Sequence, residues 1–511
     1  MHQLGAPRQR THEPPADSGE RVLFALFALM AVGSAGMLVG QCLTADAVRL
    51  PGITIDRLSA ALTFLVGSIG AVTFRFSQRY LHGEPGRTRF LRWLAFTTVS
   101  AYVLMLSTHL FLLFVAWSLT SFGLHQLLLF YPARLEALRP ARKKFLISRA
   151  GDLALVVAIA VVWQVYGTLD VHAFMETVAR SPDHPAMTIV GLLLVAAALT
   201  KSAQFPFHSW LPETMEAPTP VSALMHAGII NAGGALLLRF APLIVRVPEA
   251  LFLLAIVGTA TATLGMLAMW AQVKVKRTLA WSTVAQMGFM MVQCGLGAFP
   301  AALLHILGHG FYKAWSFLKS GEIPAPAAQA PPAPAARTLG LAVLGAAVSI
   351  PLMPPASWAT GFSPIHSPGE LALAAIVAMS VGQLWVAVLG GQRTQGARSL
   401  IRGVGTVLAS AAVVFAAFAL YGGAAAFLQP VLGELPHPSG PLAWAAASLP
   451  MLGLVLLTVV QAAMPTLGRS AAGRALYVHA LHGFYFGAGA DRLVDAVWNR
   501  LVPRSKEVAR A

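Results

Sequence analysis

Runs of about twenty apolar residues recur from near residue 22 to residue 464, each long enough to cross the hydrocarbon layer of a bilayer. That feature leaves few folds open. Hydrocarbon offers no water to satisfy backbone N–H and C=O groups, so a spanning segment closes its hydrogen bonds within a helix or within a sealed barrel. Runs of this length select helices. Composition agrees: 57% of residues are hydrophobic and 11% charged, where a soluble domain carries about 25% charge. The predicted fold class is an all-α polytopic membrane protein. Fourteen transmembrane helices are read at 22–42, 55–76, 91–107, 110–131, 147–166, 186–206, 219–243, 250–270, 278–296, 299–318, 339–353, 371–390, 403–427 and 441–464.

The net charge of +16 does not point to nucleic acid. With the N-terminus inside, basic residues gather in alternate connections. They lie from Arg75 to Arg92, from Arg134 to Arg149, at Lys274, Lys276 and Arg277, at Lys319 and Arg337, at Arg393, Arg398 and Arg402, and in the tail from Arg469. The opposite side holds only Arg49, Arg180 and Arg246 outside the spans. This is the positive-inside pattern, and it places both termini in the cytoplasm.

Three regions are expected. Residues 1–21 form a cytoplasmic segment, 22–464 the transmembrane domain, and 465–511 an interfacial or partner-binding tail. The first apolar run lacks a convincing A-x-A-like cleavage site and reads as a retained helix. The Pro/Ala-rich stretch 323–336 reads as a cytoplasmic linker, and Pro351 to Pro368 as a break on the outer side. Cys42 and Cys294, both in apolar runs, exclude a thiolate-ligated cluster and read as buried packing residues.

Lys201, His226, His305, His309 and Lys313 are ionisable residues within these apolar stretches. Placing such groups in a membrane is costly, which makes them functional candidates. His305, His309 and Lys313 recur at i, i+4, i+8 and share one helix face. Histidine exchanges protons near neutral pH, and a lysine stripped of water can release its proton. Such a row suits a proton relay; static hydrogen-bond glue between helices is the other reading. Zinc fits His305 and His309 by spacing alone, but Ile306 stands where an H-E-x-x-H motif needs glutamate. No metal, cofactor or catalytic residue is therefore assigned.

Lys201 runs into Pro206 and Pro212, which reads as a broken helix, a feature tolerated at membrane depth where it lines a cavity. Snorkelling to the interface is the other reading for Lys201. Arg149 and Asp152 are placed to pair at i, i+3 in a structural or field-tuning role. Arg239 reads as reaching the interface, and His109 and His125 as boundary or packing residues.

These residues carry a resemblance. Lys201-Ser-Ala-Gln-Phe-Pro-Phe-His-Ser-Trp-Leu-Pro-Glu213 and Ala217-Pro-Thr-Pro-Val-Ser-Ala-Leu-Met-His226-Ala resemble the signature of the proton-translocating antiporter-like subunits. Those include the large subunits of respiratory complex I and of multisubunit sodium/proton antiporters. Lys276-Arg-Thr-Leu-Ala-Trp-Ser-Thr, His305 through Phe-Tyr-Lys313-Ala, and Arg149-Ala-Gly-Asp152 match as well. The resemblance implies an inverted-repeat bundle with broken helices. Lys201 would be the central lysine of the first half-channel, and His226, His305, His309 and Lys313 would carry protons onward.

Two departures stand out. Where the family has Trp-Glu, this chain has Trp117-Ser118, so Lys201 needs another partner. Where the late broken helix has lysine or glutamate, only His366 or Glu370 could substitute. The long lateral helix of complex I subunits is also not expected. Together with Gly228-Ile-Ile-Asn-Ala-Gly-Gly-Ala-Leu-Leu-Leu-Arg-Phe240, these departures most resemble the DabB branch, the membrane subunits of bacterial inorganic-carbon pumps. That resemblance implies a transporter subunit rather than an enzyme, set in lipid in the bacterial inner membrane. It would move protons or sodium and pair with a DabA-like zinc protein that holds the carbonic-anhydrase-like chemistry. A cation/proton antiporter or complex I-like module is the alternative, and a non-conducting anchor a third.

Overall fold

The computed structural model describes residues 18–44, 46–180, 184–322, 333–391 and 397–501. Most of the predicted segment 1–21 and of the linker 323–336, and the last ten residues of the tail, lie outside them.

Helix α1 (Ser18–Thr44) leads to a hairpin of β1 (Val48–Leu50) and β2 (Ile53–Ile55), paired antiparallel with Val48 opposite Ile55. Its turn passes through Gly52, whose φ of +77° suits a residue without a side chain. Next comes α2 (Arg57–Tyr80), opened by a capping box between Asp56 and Ser59. There follow α3 (Arg87–Leu106), α4 (Leu110–Leu128), α5 (Leu135–Tyr166), the short α6 (Val171–Arg180) and α7 (Ala186–Lys201). After them come α8 (Trp210–Glu213), α9 (Thr219–Ala227), α10 (Ala232–Arg239), α11 (Ala241–Ile244), α12 (Pro248–Ala271), α13 (Val275–Gly295) and α14 (Phe299–Leu318). The remainder comprises α15 (Ala335–Ser349), α16 (Met353–Thr360), α17 (Pro368–Leu389), α18 (Ala397–Leu432), α19 (Pro441–Leu467), α20 (Ala471–Leu481) and α21 (Phe486–Leu501).

Among the described residues ten stretches are long and apolar enough to cross a membrane, counting α9 with α10 and α15 with α16. The other four expected segments fall on α3, α7, α13 and α14. Helix α7 is short because it stops at Lys201, while α13 and α14 turn Gln286, Gln293, His305 and Lys313 into a shared cavity. Burial sorts the bundle into centre and rim. The most apolar stretch of α9–α10 is entirely buried, whereas only 17% of that of α1 is. The rim is a belt of exposed Leu, Val and Trp side chains, as a lipid-facing surface requires.

Four expectations are corrected. Helix α5 opens at Leu135 rather than at residue 147, so the stretch read as a basic connection is helical, with Lys143 and Lys144 buried. Helical backbone also runs on from α15 through a 3-10 turn at Ile350–Leu352 into α16 and so to Thr360, because Pro351, Pro354 and Pro355 sit in first-turn positions that need no N–H donor. The chain breaks instead at Gly361. Arg239 does not reach an interface; it is buried against the Asp56 carboxylate, which it holds as an ion pair. Cys42 is exposed on the rim, and only Cys294 is a buried packing residue.

Candidate functional site

Lys201 ends α7. The backbone then leaves the helix through Ala203, whose φ is +48°, and through a cis Phe205–Pro206 bond. The groups freed by this break are satisfied by protein, as membrane depth demands. The Gln204 N–H donates to the Leu199 carbonyl at 3.0 Å, the Gln204 amide to the Ser202 carbonyl at 2.9 Å, and the Phe205 N–H to the Thr261 hydroxyl at 3.0 Å. A second interruption lies beside the first. Helix α9 ends at Gly228, a single 3-10 turn spans Ile229–Asn231, and α10 follows. The Ser202 hydroxyl donates to the Ile230 carbonyl at 2.8 Å, so the two interruptions are joined.

Lys201 is buried and points at α4. Its Nζ donates to the Trp117 carbonyl at 2.9 Å and to the Ser121 hydroxyl at 2.7 Å, and it lies 4.3 Å from the centre of the Trp117 ring. These groups stand where the resemblance leads one to expect a carboxylate. Ser118 is not among them: its hydroxyl is buried and finds no hydrogen-bond partner. Arg149 and Asp152 lie 2.7 Å apart on α5, the arginine exposed and the aspartate buried.

Helix α14 presses against α9. A Cβ on Gly310 would lie 2.9 Å from the Ala227 carbonyl, so only glycine permits this approach. It sets Phe317 flat against the His226 ring, with centres 4.4 Å apart. Neither nitrogen of His226 has a hydrogen-bond partner, although the residue is fully buried. A buried polar group left this way is costly and needs water or a proton-exchanging neighbour to satisfy it. On α14, His309 and Lys313 are buried, and His305 is partly so. His305 Nδ1 meets the Gln293 side-chain oxygen at 3.0 Å, and its ring centre lies 5.7 Å from that of His309. Lys313 donates to the Leu279 carbonyl at 3.3 Å and to the Ser282 hydroxyl. All three line a cavity of about 750 Å³, which Phe362 and Tyr421 also line.

The weak candidates sit elsewhere. Glu370, capped at the start of α17 by Ser367, lies 3.6 Å from His366 and 3.8 Å from His437. Glu370 and His437 line a separate cavity of about 250 Å³, although Phe362 and Tyr421 wall both cavities. Among the described residues no group of three His, Cys, Asp or Glu side chains is arranged to hold a metal.

Two neighbouring residues escaped the sequence reading. Lys144 Nζ donates to the Ser121 carbonyl at 2.5 Å, on the same residue that serves Lys201. Lys143, fully buried, lies 2.7 Å from both Glu213 and Asp491, and so ties α5 to α8 and to α21. Phe486, at the start of α21, packs edge-on against Phe205 in the break, with ring centres 4.5 Å apart. The only signal was the unbroken helical run back from Arg149, which was masked by the basic composition of 134–149.

Comparisons with known proteins agree with this architecture. Residues 107–391, more than half of the chain, match the family described as "NADH:quinone oxidoreductase/Mrp antiporter, TM". Residues 50–91 match "NADH-Ubiquinone oxidoreductase (complex I), chain 5 N-terminus". The chain is 41% identical over 303 residues to the probable inorganic carbon transporter subunit DabB2 of Halothiobacillus neapolitanus, covering 59% of this chain and 54% of that protein. It is 42% identical over 272 residues to the probable inorganic carbon transporter subunit DabB of Hydrogenovibrio crunogenus, covering 53% and 52%. It is 36% identical over 273 residues to NADH-ubiquinone oxidoreductase chain 5 of Metridium senile, covering 53% and 45%. The matches span about half the length of these curated relatives. Among solved structures, a chain of the Mrp complex from Dietzia sp. is similar with TM-score 0.52 and 25% identity, covering 96% of this chain and 58% of that one. A chain of the archaeal membrane-bound sulfane sulfur reductase shares the fold alone, with TM-score 0.54, 16% identity and coverage of 93% and 95%. The similarity to DabB subunits thus reaches beyond the motifs to 41–42% identity over more than half of this chain, and the chain belongs to the NADH:quinone oxidoreductase/Mrp antiporter transmembrane family.

Proposed function

We propose that this chain conducts protons or sodium as the membrane subunit of an energy-coupled inorganic-carbon transporter. In this reading the ion gradient drives CO2 hydration or bicarbonate accumulation by a DabA-like zinc protein bound to it. The observation that carries the reading is a set of ionisable side chains inside the bundle: Lys201 and His226, buried at two joined helix interruptions, and on α14 the buried Lys313 and His309 with the partly buried His305. Intramembrane ionisable groups gathered about broken helices mark ion pathways. The names of the 41–42% identical relatives support the carbon substrate.

Within this scheme Lys201 exchanges its proton at the Ser121 hydroxyl, a group that both donates and accepts. His226, unpaired on both nitrogens, takes protons between the Lys201 break and α14. Lys313, His309 and His305 pass them along one wall of the larger cavity. Arg149 and Asp152 set the field at Lys201, and Glu370 with His366 gives a titratable group beyond Tyr421. We place fourteen spans within 22–464, 1–21 and the partner-binding tail 465–511 on the cytoplasmic face, and the whole in the bacterial inner membrane.

Lys201→Ala and Lys313→Ala test the reading in inside-out vesicles carrying the assembled complex. Each is expected to abolish gradient-driven ion flux while leaving assembly intact. A fully active double variant refutes conduction. The likeness to a Mrp chain across 96% of this chain supports a second reading, a cation/proton antiporter module. Copurification separates the two: one large zinc protein at equal stoichiometry supports the carbon pump, and several small membrane subunits without zinc support the antiporter.

A further inference from the structure

Two buried lysines meet on one serine. Lys201 Nζ donates to the hydroxyl of Ser121 at 2.7 Å, and Lys144 Nζ donates to its carbonyl at 2.5 Å. Both are at least nine-tenths buried: Lys201 is 8% exposed and Lys144 4%. Among the described residues no carboxylate lies within ion-pair distance of either nitrogen, and the nearby Asp152 is engaged by Arg149. The other charged or titratable groups facing them are Arg149 on α5 and His125 on α4. The site thus holds one carboxylate, Asp152, against Lys144, Lys201, Arg149 and the titratable His125. Like charges this close in a low-dielectric interior disfavour double protonation. The lysines come from separate helices and meet on two groups of one residue, Lys201 on the Ser121 hydroxyl, which donates and accepts, and Lys144 on its carbonyl, which only accepts.

We infer that Lys144 and Lys201 form a single proton-holding unit across Ser121, with one proton shared between the two side chains. The inference rests on the ion-conduction reading and deepens it. Lys144 becomes a second conduction residue, set between Lys201 and the end of the bundle where its neighbour Lys143 meets Glu213 and Asp491. A proton delivered to Lys144 then displaces the one on Lys201, and the total charge of the pair returns to one after each transfer.

The test is nitrogen NMR of the full chain labelled with 15Nζ-lysine, in lipid vesicles at neutral pH, where neutral amine and ammonium nitrogens resonate apart. Wild type is expected to show one nitrogen's worth of neutral amine at this site. That intensity should vanish in both Lys144→Met and Lys201→Met, because the remaining lysine then keeps the proton. Loss in only one variant means two independent lysines, and loss in neither, or no neutral amine in wild type, means the pair holds two protons; each result overturns the inference. Lys144→Arg, which keeps a cation and a donor, verifies that the site still folds. Ion flux through Lys201→Met is measured in parallel. Undiminished flux refutes conduction itself, whereas abolished flux with an unshared proton refutes only the pair.

Discussion

Gly233 lies on α10 against the end of α7. A Cβ at that position would sit 2.4 Å from the Ser202 hydroxyl oxygen and 2.5 Å from the Ala198 carbonyl oxygen. The carbonyl is backbone and cannot swing aside, and the hydroxyl is held by Ile230. Gly233→Ala therefore forces the two helices apart by about 1 Å in a close-packed interior. Overpacking of this kind costs about 1–3 kcal/mol. Loss of the Ser202–Ile230 hydrogen bond adds about 1 kcal/mol. The better helix propensity of alanine offsets about 1 kcal/mol. The expected net destabilisation is about 1–3 kcal/mol. Gly340, on the exposed side of α15, has no atom within 4 Å of its Cβ position. Gly340→Ala is the matched control, expected to be neutral or stabilising by up to about 1 kcal/mol. Thermal unfolding of both purified variants in detergent measures the difference. Because Ala198 lies one turn before Lys201, Gly233→Ala should also reduce ion flux. Equal melting temperatures for the two variants would refute the close approach at the helix interruptions.

Arg239→Met strands the buried Asp56 carboxylate and should cost about 3–5 kcal/mol, read as lower yield and melting temperature; Asp56→Asn combined with Arg239→Met should recover part of the loss. Lys143→Met leaves Glu213 and Asp491 facing each other unneutralised and should free α21, so that trypsin cuts after Arg492 far faster than in wild type. His172, on α6, is held below the ordinary imidazole value of 6.5 by burial first and by the Arg49 guanidinium next. Its folded value is depressed, so its contribution is present above that ordinary value and fades as pH falls through it toward the lower folded one. His172→Gln, which keeps a partner for Thr54, should flatten the acid side of a melting-temperature profile, and an unchanged profile would contradict this.

Apolar run length made the helices legible, because hydrocarbon leaves the backbone no other choice. Lys201, His226 and the α14 row were visible for the same reason: charge stands out in an apolar run. Lys144 was not, because its helix begins in a basic stretch that reads as a solvated connection. Arg239 was misread because its partner lies 183 residues away in sequence, at the N-cap of α2. The three prolines after Ser349 looked like a stop, since a sequence does not show that each falls in a first turn. Cys42 was misplaced because an apolar run reads the same whether it faces lipid or protein. The partners of Lys201 are backbone and hydroxyl oxygens, which leave no mark in the residue pattern.

A rod cut at its midpoint bends, but two rods cut at the same height and lashed at the cuts brace each other. Ser202 and Ile230 make that lashing between the α7 and α9–α10 interruptions. Any tilt of the lower half of one helix is therefore felt at the joint of the other, whatever the charge on Lys201 or His226. The lysine site and the histidine site are thus coupled mechanically through one hydrogen bond. Under the proposed conduction, apolar or small residues at the lashing, none of them ionisable, are as able to stop ion flux as the ionisable side chains.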